Sequence, residues 1–322
     1  MWLRTTTNLH WMQDHELLRE LRPAVERLLE RHLGSAKEWM PHEMVPWGRG
    51  RDYEHGVPWD PEDFPLPDAV RRALIVNVLT EDNLPYYFET IHRVFPCEEL
   101  RTWTRRWTAE EMRHAAVIRD YLMVNRAVDP VALERARMAQ VSSGQTPQPP
   151  TVPDALVYLC LQELATRIAH RNTGKLLPDP AGFDIMVRVA ADENLHHLFY
   201  RDLAAAAFEV DPSAMVLAVD RQVRRFEMPG TGIPGFAAHA FAIAKVGIYD
   251  LSLHHDQILV PVVLRFWRLS SLEGLSPDAE RARASVLSHI DRVGSIGRRL
   301  VEKRHREQGA AAGAATTLLA TP

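Results

Sequence analysis

The chain has little cysteine and no long apolar run. Its two cysteines, Cys97 and Cys160, are too few for a disulfide framework or a thiolate metal set, which favours a reducing compartment. No stretch approaches the roughly 18 uninterrupted apolar residues of a transmembrane helix. The first ten residues also lack the apolar core of a signal peptide. We therefore expect a cytoplasmic protein without a transmembrane segment.

An excess of positive charge is also missing. The formal net charge is −4 and the sequence pI is about 6.4, which argues against a nucleic-acid partner. No strand-like alternation is long enough to support a sheet. By contrast, 46% of the 322 residues are hydrophobic, and many recur at helical spacing, for example Leu21, Val25 and Leu28. These features predict an all-α protein with a large core.

A duplicated pattern of glutamate and histidine is the most informative feature present. A lone glutamate is followed by a Glu-x-x-His pair, and the two glutamates are 30 residues apart in both copies (111 − 81 and 193 − 163). The second copy follows the first along the chain. The six residues are Glu81, Glu111 and His114, then Glu163, Glu193 and His196.

The spacing indicates a two-metal site inside a helical bundle. Residues three apart lie on one face of a helix, so each Glu-x-x-His pair can converge on one metal ion. Two lone glutamates and two such pairs form the ligand set of ferritin-like di-iron proteins. Carboxylate and imidazole ligands favour iron or manganese, and four carboxylates balance two divalent ions. The alternative is a set of buried Glu–His pairs without metal.

Two further Glu-x-x-His pairs lack the duplicated partner. Glu89 and His92 lie two to three helical turns beyond Glu81, too far along the axis to join its cluster. Glu302 and His305 lie in a basic, polar helix end that precedes an Ala/Gly/Thr-rich tail. We interpret the first pair as structural and the second as solvated.

Several side chains around the six are candidates for supporting roles. An acid precedes each paired glutamate, and Glu110 and Asp192 can accept the free ring N–H of a ligand histidine. Trp107 lies one turn before Glu111 and should stack beside the site. Thr166, three residues after Glu163, should direct its hydroxyl toward the cluster, although most helical threonines bond a backbone carbonyl.

One domain is expected over residues 1–307, with a disordered tail over 308–322. Proline-rich segments over 40–67 and 142–153 divide the helices, and Pro85 should kink or interrupt the first ligand helix. The four predicted ligand helices span 68–93, 99–126, 153–175 and 181–208. Other helices are predicted over 14–33, 212–227, 236–251, 252–270 and 277–307.

Four segments resemble the soluble acyl-acyl carrier protein (acyl-ACP) desaturases of plastids and actinobacteria. They are 79–85, 103–114, 162–166 and 190–196, and they carry all six ligand positions in order. The resemblance implies a ferritin-like four-helix bundle with flanking helices and two iron ions. It further implies that Thr166 handles oxygen and that Trp39 lies on an electron path with Asp192. Leu195 and Met112 replace polar residues of the plant enzymes, which indicates the actinobacterial branch.

The same resemblance implies a reaction and its partners. A ferredoxin-like donor would supply electrons, O₂ would be consumed, and an acyl chain on acyl carrier protein would gain a cis double bond. Family members are usually homodimers. Carrier protein is acidic, so its docking surface should be basic. The candidates are Arg71 with Arg72, Arg221 with Arg224 and Arg225, and Arg298 with Arg299 and Lys303.

Three other functions share parts of the pattern. A di-iron hydroxylase or N-oxygenase of a biosynthetic pathway would use the same cluster and differ in its substrate tunnel. Iron-storage ferritins are much shorter chains that assemble as cages. A ribonucleotide reductase radical subunit needs a tyrosine beside the metal, whereas Tyr86 and Tyr87 lie more than a turn beyond Glu81.

Overall fold

The computed structural model describes the backbone of residues 3–319 and the side chains of residues 14–307. Within these ranges the chain forms α-helices joined by turns and short 3₁₀ segments, and no strand is present. The helices are α1 (Leu3–Ser35), α2 (Pro41–Met44), α3 (Asp68–Glu81), α4 (Leu84–Val94), α5 (Glu98–Val124), α6 (Pro130–Ser143), α7 (Val152–Leu176), α8 (Pro180–Val210), α9 (Pro212–Arg224), α10 (Phe236–Lys245), α11 (Leu251–His254) and α12 (Pro277–Leu319).

Asp-Pro dipeptides start three of these helices. Asp129, Asp179 and Asp211 are the N-cap residues of α6, α8 and α9, and each carboxylate accepts backbone N–H groups of the first turn. The proline that follows occupies the first helical position. A backbone N–H there has no intrahelical acceptor, so its absence in proline costs no hydrogen bond. These local signals fix where the long helix α8 begins.

The centre of the fold is a bundle of α3, α5, α7 and α8. Helices α7 and α8 pack against each other most extensively, while α3 packs on α5 and α7. Helix α1 lies across α8 and α5 and adds buried leucines, including Leu17, Leu21 and Leu28. A second apolar cluster between α3, α5 and α8 is built around Val78, Ile118 and Val189. The predicted all-α bundle with flanking helices is confirmed.

The predicted helix over 68–93 is two helices. Helix α3 ends at Glu81, and α4 begins at Leu84 after a turn through Asp82 and Asn83. Pro85 falls in the first turn of α4, where backbone N–H groups have no intrahelical acceptor, so the N–H that proline lacks is not missed. The predicted interruption is therefore confirmed, and it leaves Glu81 as the last residue of α3.

Other boundaries also differ from those predicted. Helix α6, which no predicted helix covered, precedes the proline-rich crossover. The helix predicted over 236–251 ends at Lys245, and much of the helix predicted over 252–270 is a π-helix, His255–Phe266. No described helix is both long and apolar enough to cross a membrane. The predicted disordered tail, 308–322, has no described side chains and stays a prediction.

Candidate metal centre

The six predicted ligand residues meet in the middle of the bundle, and all are buried. Their oxygen and nitrogen atoms form two overlapping groups. Within each group, the ligand atoms all lie within 4.8 Å of one another. Glu111 and Glu193 belong to both groups and so lie between them. The first group consists of Glu81, Glu111, His114 and Glu193, and the second of Glu111, Glu163, Glu193 and His196.

Each histidine directs its Nδ1 atom toward the carboxylates. His114 Nδ1 lies 3.0 Å from Glu111 Oε2 and 3.4 Å from Glu193 Oε1. His196 Nδ1 lies 2.8 Å from Glu111 Oε1. This arrangement follows from the three-residue spacing within each pair, which places imidazole and carboxylate on one helical face.

Several of these atoms make no hydrogen bond of good geometry with the described residues. They are both Oε atoms of Glu193, Oε1 of Glu111 and Nδ1 of His196, the last two of which lie 2.8 Å apart. Unpaired buried acceptors are costly, and a cation would satisfy all of them at once. The donor set therefore fits a pair of metal ions.

The charge of the cluster leads to the same conclusion. Burial and the neighbouring Glu111 carboxylate raise the pKa of Glu81 to about 8. Burial likewise raises the pKa of Glu163 well above its usual range. Without cations the cluster would thus hold protons at neutral pH, and bound metal ions would replace them.

The two acids that precede the paired glutamates cross over to the opposite helix. Glu110 Oε2 accepts a hydrogen bond from His196 Nε2 at 2.9 Å. Asp192 Oδ2 lies 3.5 Å from His114 Nε2, and it accepts the Trp39 indole N–H at 2.7 Å. Each acid of one half therefore faces the histidine of the other half, whereas the sequence predicted a ligand histidine as the partner without saying which one.

Trp107 contacts a ligand directly. Its indole Nε1 donates to Glu163 Oε1 at 3.1 Å, which holds one oxygen of that carboxylate. Thr166 behaves differently: its hydroxyl donates to the Gln162 carbonyl at 3.1 Å and accepts from the Gln162 side-chain amide at 2.9 Å. Its bonds are thus local, and its role in oxygen handling stays a prediction.

The comparisons with known proteins agree with this geometry. The family model for fatty acid desaturases matches residues 13–316. The candidate acyl-[acyl-carrier-protein] desaturase DesA1 of Mycobacterium tuberculosis is 40% identical over 283 residues, covering 84% of this chain and 83% of that protein. The chain belongs to the acyl-ACP desaturase family.

Two more members of the family extend the comparison. The chloroplastic acyl-[acyl-carrier-protein] desaturase 6 of Oryza sativa subsp. japonica is 33% identical over 262 residues, covering 74% of this chain and 61% of the rice protein. The X-ray structure of the candidate acyl-ACP desaturase DesA2 from M. tuberculosis H37Rv superimposes with a TM-score of 0.66 at 26% identity. That match covers 83% of this chain and 99% of DesA2.

Two buried histidines near the cluster were not predicted. His170 Nε2 lies 3.5 Å from both Glu81 Oε1 and Glu193 Oε1. Burial lowers the pKa of His170, but these carboxylates outweigh burial and raise it to about 9. Its position seven residues after Glu163, on the same helical face, was the available signal. His32, in the buried stripe of α1, donates to Glu110.

The unduplicated Glu-x-x-His pairs lie outside the cluster. Glu89 is exposed on α4, and the half-buried ring of His92 stacks on Phe88. Glu302 and His305 are both exposed on α12. The duplicated spacing, and not the pair motif alone, therefore identified the residues that meet in the candidate metal centre.

Proposed function

We propose that this protein is an acyl-ACP desaturase that inserts a cis double bond into a saturated acyl chain. The observation that carries the proposal is a buried cluster of four carboxylates and two imidazoles beside a largely apolar cavity. Two iron ions are the proposed cofactors, held by the six ligands described above. When bound and reduced, they would supply the O₂-derived oxidising power that removal of hydrogen from unactivated carbon needs.

A cavity runs from the cluster between α3, α4 and α7. The carboxylates of Glu81, Glu111, Glu163 and Glu193 lie at its polar end. A second cavity reaches Glu81 and Thr166 from the side of α10. The remaining walls of the first cavity are mainly apolar and include Leu84, Tyr87, Ile91, Val94, Ala155 and Leu159. An extended acyl chain matches this shape, because its methylene groups need apolar walls and only the reacting carbons need the cluster.

The protein side chains would hold the cluster and keep bulk water away. Trp107 fixes one oxygen of Glu163, while Glu110 and Asp192 orient the two histidines. All six ligands are buried, so the substrate cavity is the proposed route by which the acyl chain reaches them. This burial would protect the oxidising site from side reactions with solvent.

The basic patch on α9 is the proposed docking surface for acyl carrier protein. A surface groove lined by Arg221 and Arg225 shares Tyr158 and Pro229 with the substrate cavity. Arg221 forms a 2.8 Å ion pair with buried Asp154. The contact of the exposed Arg224 with Asp220 is longer, at 3.7 Å, so Arg224 and Arg225 are the candidates. An acidic carrier protein bound here would present its acyl group at the cavity.

No residue of the other two basic patches lines a cavity beside the cluster. Arg71 donates to the carbonyls of Ala127 and Pro61, and Arg72 pairs with Asp68. The third patch, on α12, contributes no wall to either cavity beside the cluster. The α9 patch is therefore preferred.

Charge reversal tests this docking surface. The double variant Arg224→Glu with Arg225→Glu should raise KM for the acyl-carrier substrate about tenfold or more at low salt, because rim charges mainly steer association. The matched control is Arg298→Glu with Arg299→Glu on α12, which should leave KM unchanged. An unchanged KM in the α9 variant would show that the carrier protein docks elsewhere.

Electron supply is proposed to pass through Trp39. Its ring lies parallel to that of His114, with centroids 6.5 Å apart, and the guanidinium groups of Arg113 and Arg188 lie over its faces. The neighbouring Met40 is exposed, so this path is short. A ferredoxin-like donor, a homodimeric assembly and a cytoplasmic location complete the proposal.

Product analysis tests the reaction itself. Iron-loaded protein, a reduced donor, O₂ and stearoyl or palmitoyl carrier protein should give a product lighter by two hydrogen atoms, with one cis double bond. A product heavier by one oxygen atom would instead identify a hydroxylase of the same bundle. A Glu111→Gln variant, treated identically, controls for chemistry by free iron.

A further inference from the structure

We propose that His32 is a positioning residue of the metal centre, which acts through Glu110 on His196. This inference rests on the proposed two-metal function. His32 lies near the end of α1, outside the four ligand helices, and is only 4% exposed. Its Nε2 donates to Glu110 Oε2 at 3.0 Å, and the same oxygen accepts from His196 Nε2 at 2.9 Å.

The hydrogen bond to Glu110 fixes the tautomer of His196. With the ring proton on Nε2, the Nδ1 lone pair faces the cluster, 2.8 Å from Glu111 Oε1. If Glu110 turned away, the proton of neutral His196 could move to Nδ1 and bond to Glu111. That tautomer would hide the lone pair that a metal ion needs. The orientation of Glu110 therefore decides whether His196 can be a ligand.

Two donors hold Glu110 in this orientation from the outer side. Arg106 Nε donates to Glu110 Oε1 at 2.6 Å, but its side chain is 40% exposed, so water competes for it. His32 is buried, and its ring meets the buried Trp103 edge-on at 4.9 Å. A buried, packed donor constrains the carboxylate more strongly than an exposed, flexible one. His32 is therefore the main restraint on the oxygen that faces His196.

The other half of the site has a similar but looser arrangement with a different ring, because Asp192 Oδ2 lies 3.5 Å from His114 Nε2. There Trp39 donates to Asp192, which faces His114 and also accepts from Arg113. His32 and Trp39 are seven residues apart on the same N-terminal segment. This segment thus supplies one ring N–H donor to each of the two acids. His32 is the counterpart of Trp39 for the second half.

His32, Glu110 and His196 also have metal-ligand distances among themselves. The ion pair between Arg106 and Glu110 opposes a cation at that place, and a third ion there would compete with the cluster for His196. A hydrogen-bonded positioning chain explains the contacts without that conflict.

Anaerobic Co²⁺ titration, followed by the visible bands of the bound ion, tests the proposal. The His32→Leu variant removes the N–H donor at similar volume, and we expect about 10- to 100-fold weaker binding of one of the two ions. The other ion should bind as in the wild type. His32→Gln places an amide N–H near the position of Nε2 and should restore most of the lost affinity.

His254→Leu is the matched control, because His254 is a buried histidine that bonds to Tyr249 and makes no contact with the cluster. It should leave both affinities unchanged. Thermal melting of the metal-free variants separates loss of fold from loss of binding. If His32→Leu is folded and binds both ions as tightly as the wild type, or weakens both equally, the proposal is wrong.

The positioning role would also be wrong if the wild type bound a third ion and His32→Leu lost only that ion. Failure of the proposed function has a different signature, because the wild type itself would then bind no pair of ions.

Discussion

At the scale of single residues, the candidate metal centre contains more buried hydrogen-bond acceptors, mainly carboxylate oxygens, than hydrogen-bond donors to satisfy them. The meeting of the six proposed ligands was predictable because the chain repeats their spacing, and a repeat is visible without any structure. His32 and His170 were not predicted. His170 lies seven residues after Glu163, but the chain does not repeat that spacing after Glu81, and His32 has no ligand near it in the sequence. Their roles depend on which helices are neighbours in space.

Glu81 belongs to only one of the two overlapping ligand groups. Glu81→Gln should therefore reduce bound metal from two ions to one per chain and lower desaturation at least about 100-fold, while metal-free stability stays the same or rises. The substitution places a neutral amide where burial already raises the pKa of the carboxyl to about 8. Stability should therefore not fall. Metal analysis and thermal melting measure both effects. Glu89→Gln, on the exposed face of α4, is the control, and two retained ions in Glu81→Gln would contradict the ligand assignment.

His254 makes stability depend on pH. Burial, reinforced by the nearby His289 and His255, lowers the pKa of His254 to about 4. The unfolded chain, with its ordinary histidine pKa of about 6.5, binds a proton that the folded chain does not. Stability is therefore intact above about pH 6.5 and falls as the pH drops toward 4, by up to about 1.4 kcal/mol per pH unit from this group.

Urea unfolding of His254→Gln at several pH values checks this effect. The variant should lose less stability than the wild type between pH 7 and pH 5, and His305→Gln, at an exposed histidine on α12, should behave as the wild type does. Equal slopes for His254→Gln and the wild type would show that His254 is not responsible.

At the scale of helices, most elements were predictable and several boundaries were not. Asp-Pro starts and apolar periodicity mark α8 and α9 locally. The end of α3 at Glu81 and the π-helix at His255–Phe266 depend on packing and on how proline residues are accommodated. Helix α6 was missed because its apolar positions form no clear stripe, and only Leu133 and Gln140 are buried.

Gly182 allows α8 to approach α5. A Cβ atom at this position would lie 2.5 Å from the Tyr121 hydroxyl oxygen and 2.7 Å from Cζ of the same ring. Gly182→Ala should therefore cost about 1–3 kcal/mol, because a buried ring must move. Chemical unfolding measures the loss. Gly34→Ala in α1, where no atom lies within 4 Å of the new Cβ, should be neutral or slightly stabilising. Equal stabilities of the two variants would contradict the close approach.

At the scale of the whole molecule, two similar halves share one candidate metal centre. Helices α3 and α5 supply one lone glutamate and one pair, and α7 and α8 supply the other. The fold class followed from this duplication, since four ligand-bearing helices must surround the ions. The resemblance implied an apolar tunnel, but its walls could not be predicted, because they combine α3, α4 and α7 with Pro147, Pro149 and Pro229 from distant loops.

The count of iron ions per chain tests the central claim most directly. Metal-free protein is loaded with Fe²⁺ without oxygen, freed of excess metal, and analysed for iron and protein together. The account predicts two ions per chain, with a rise in melting temperature on loading, because the ions bind the folded state. One ion or none in folded wild-type protein would contradict it.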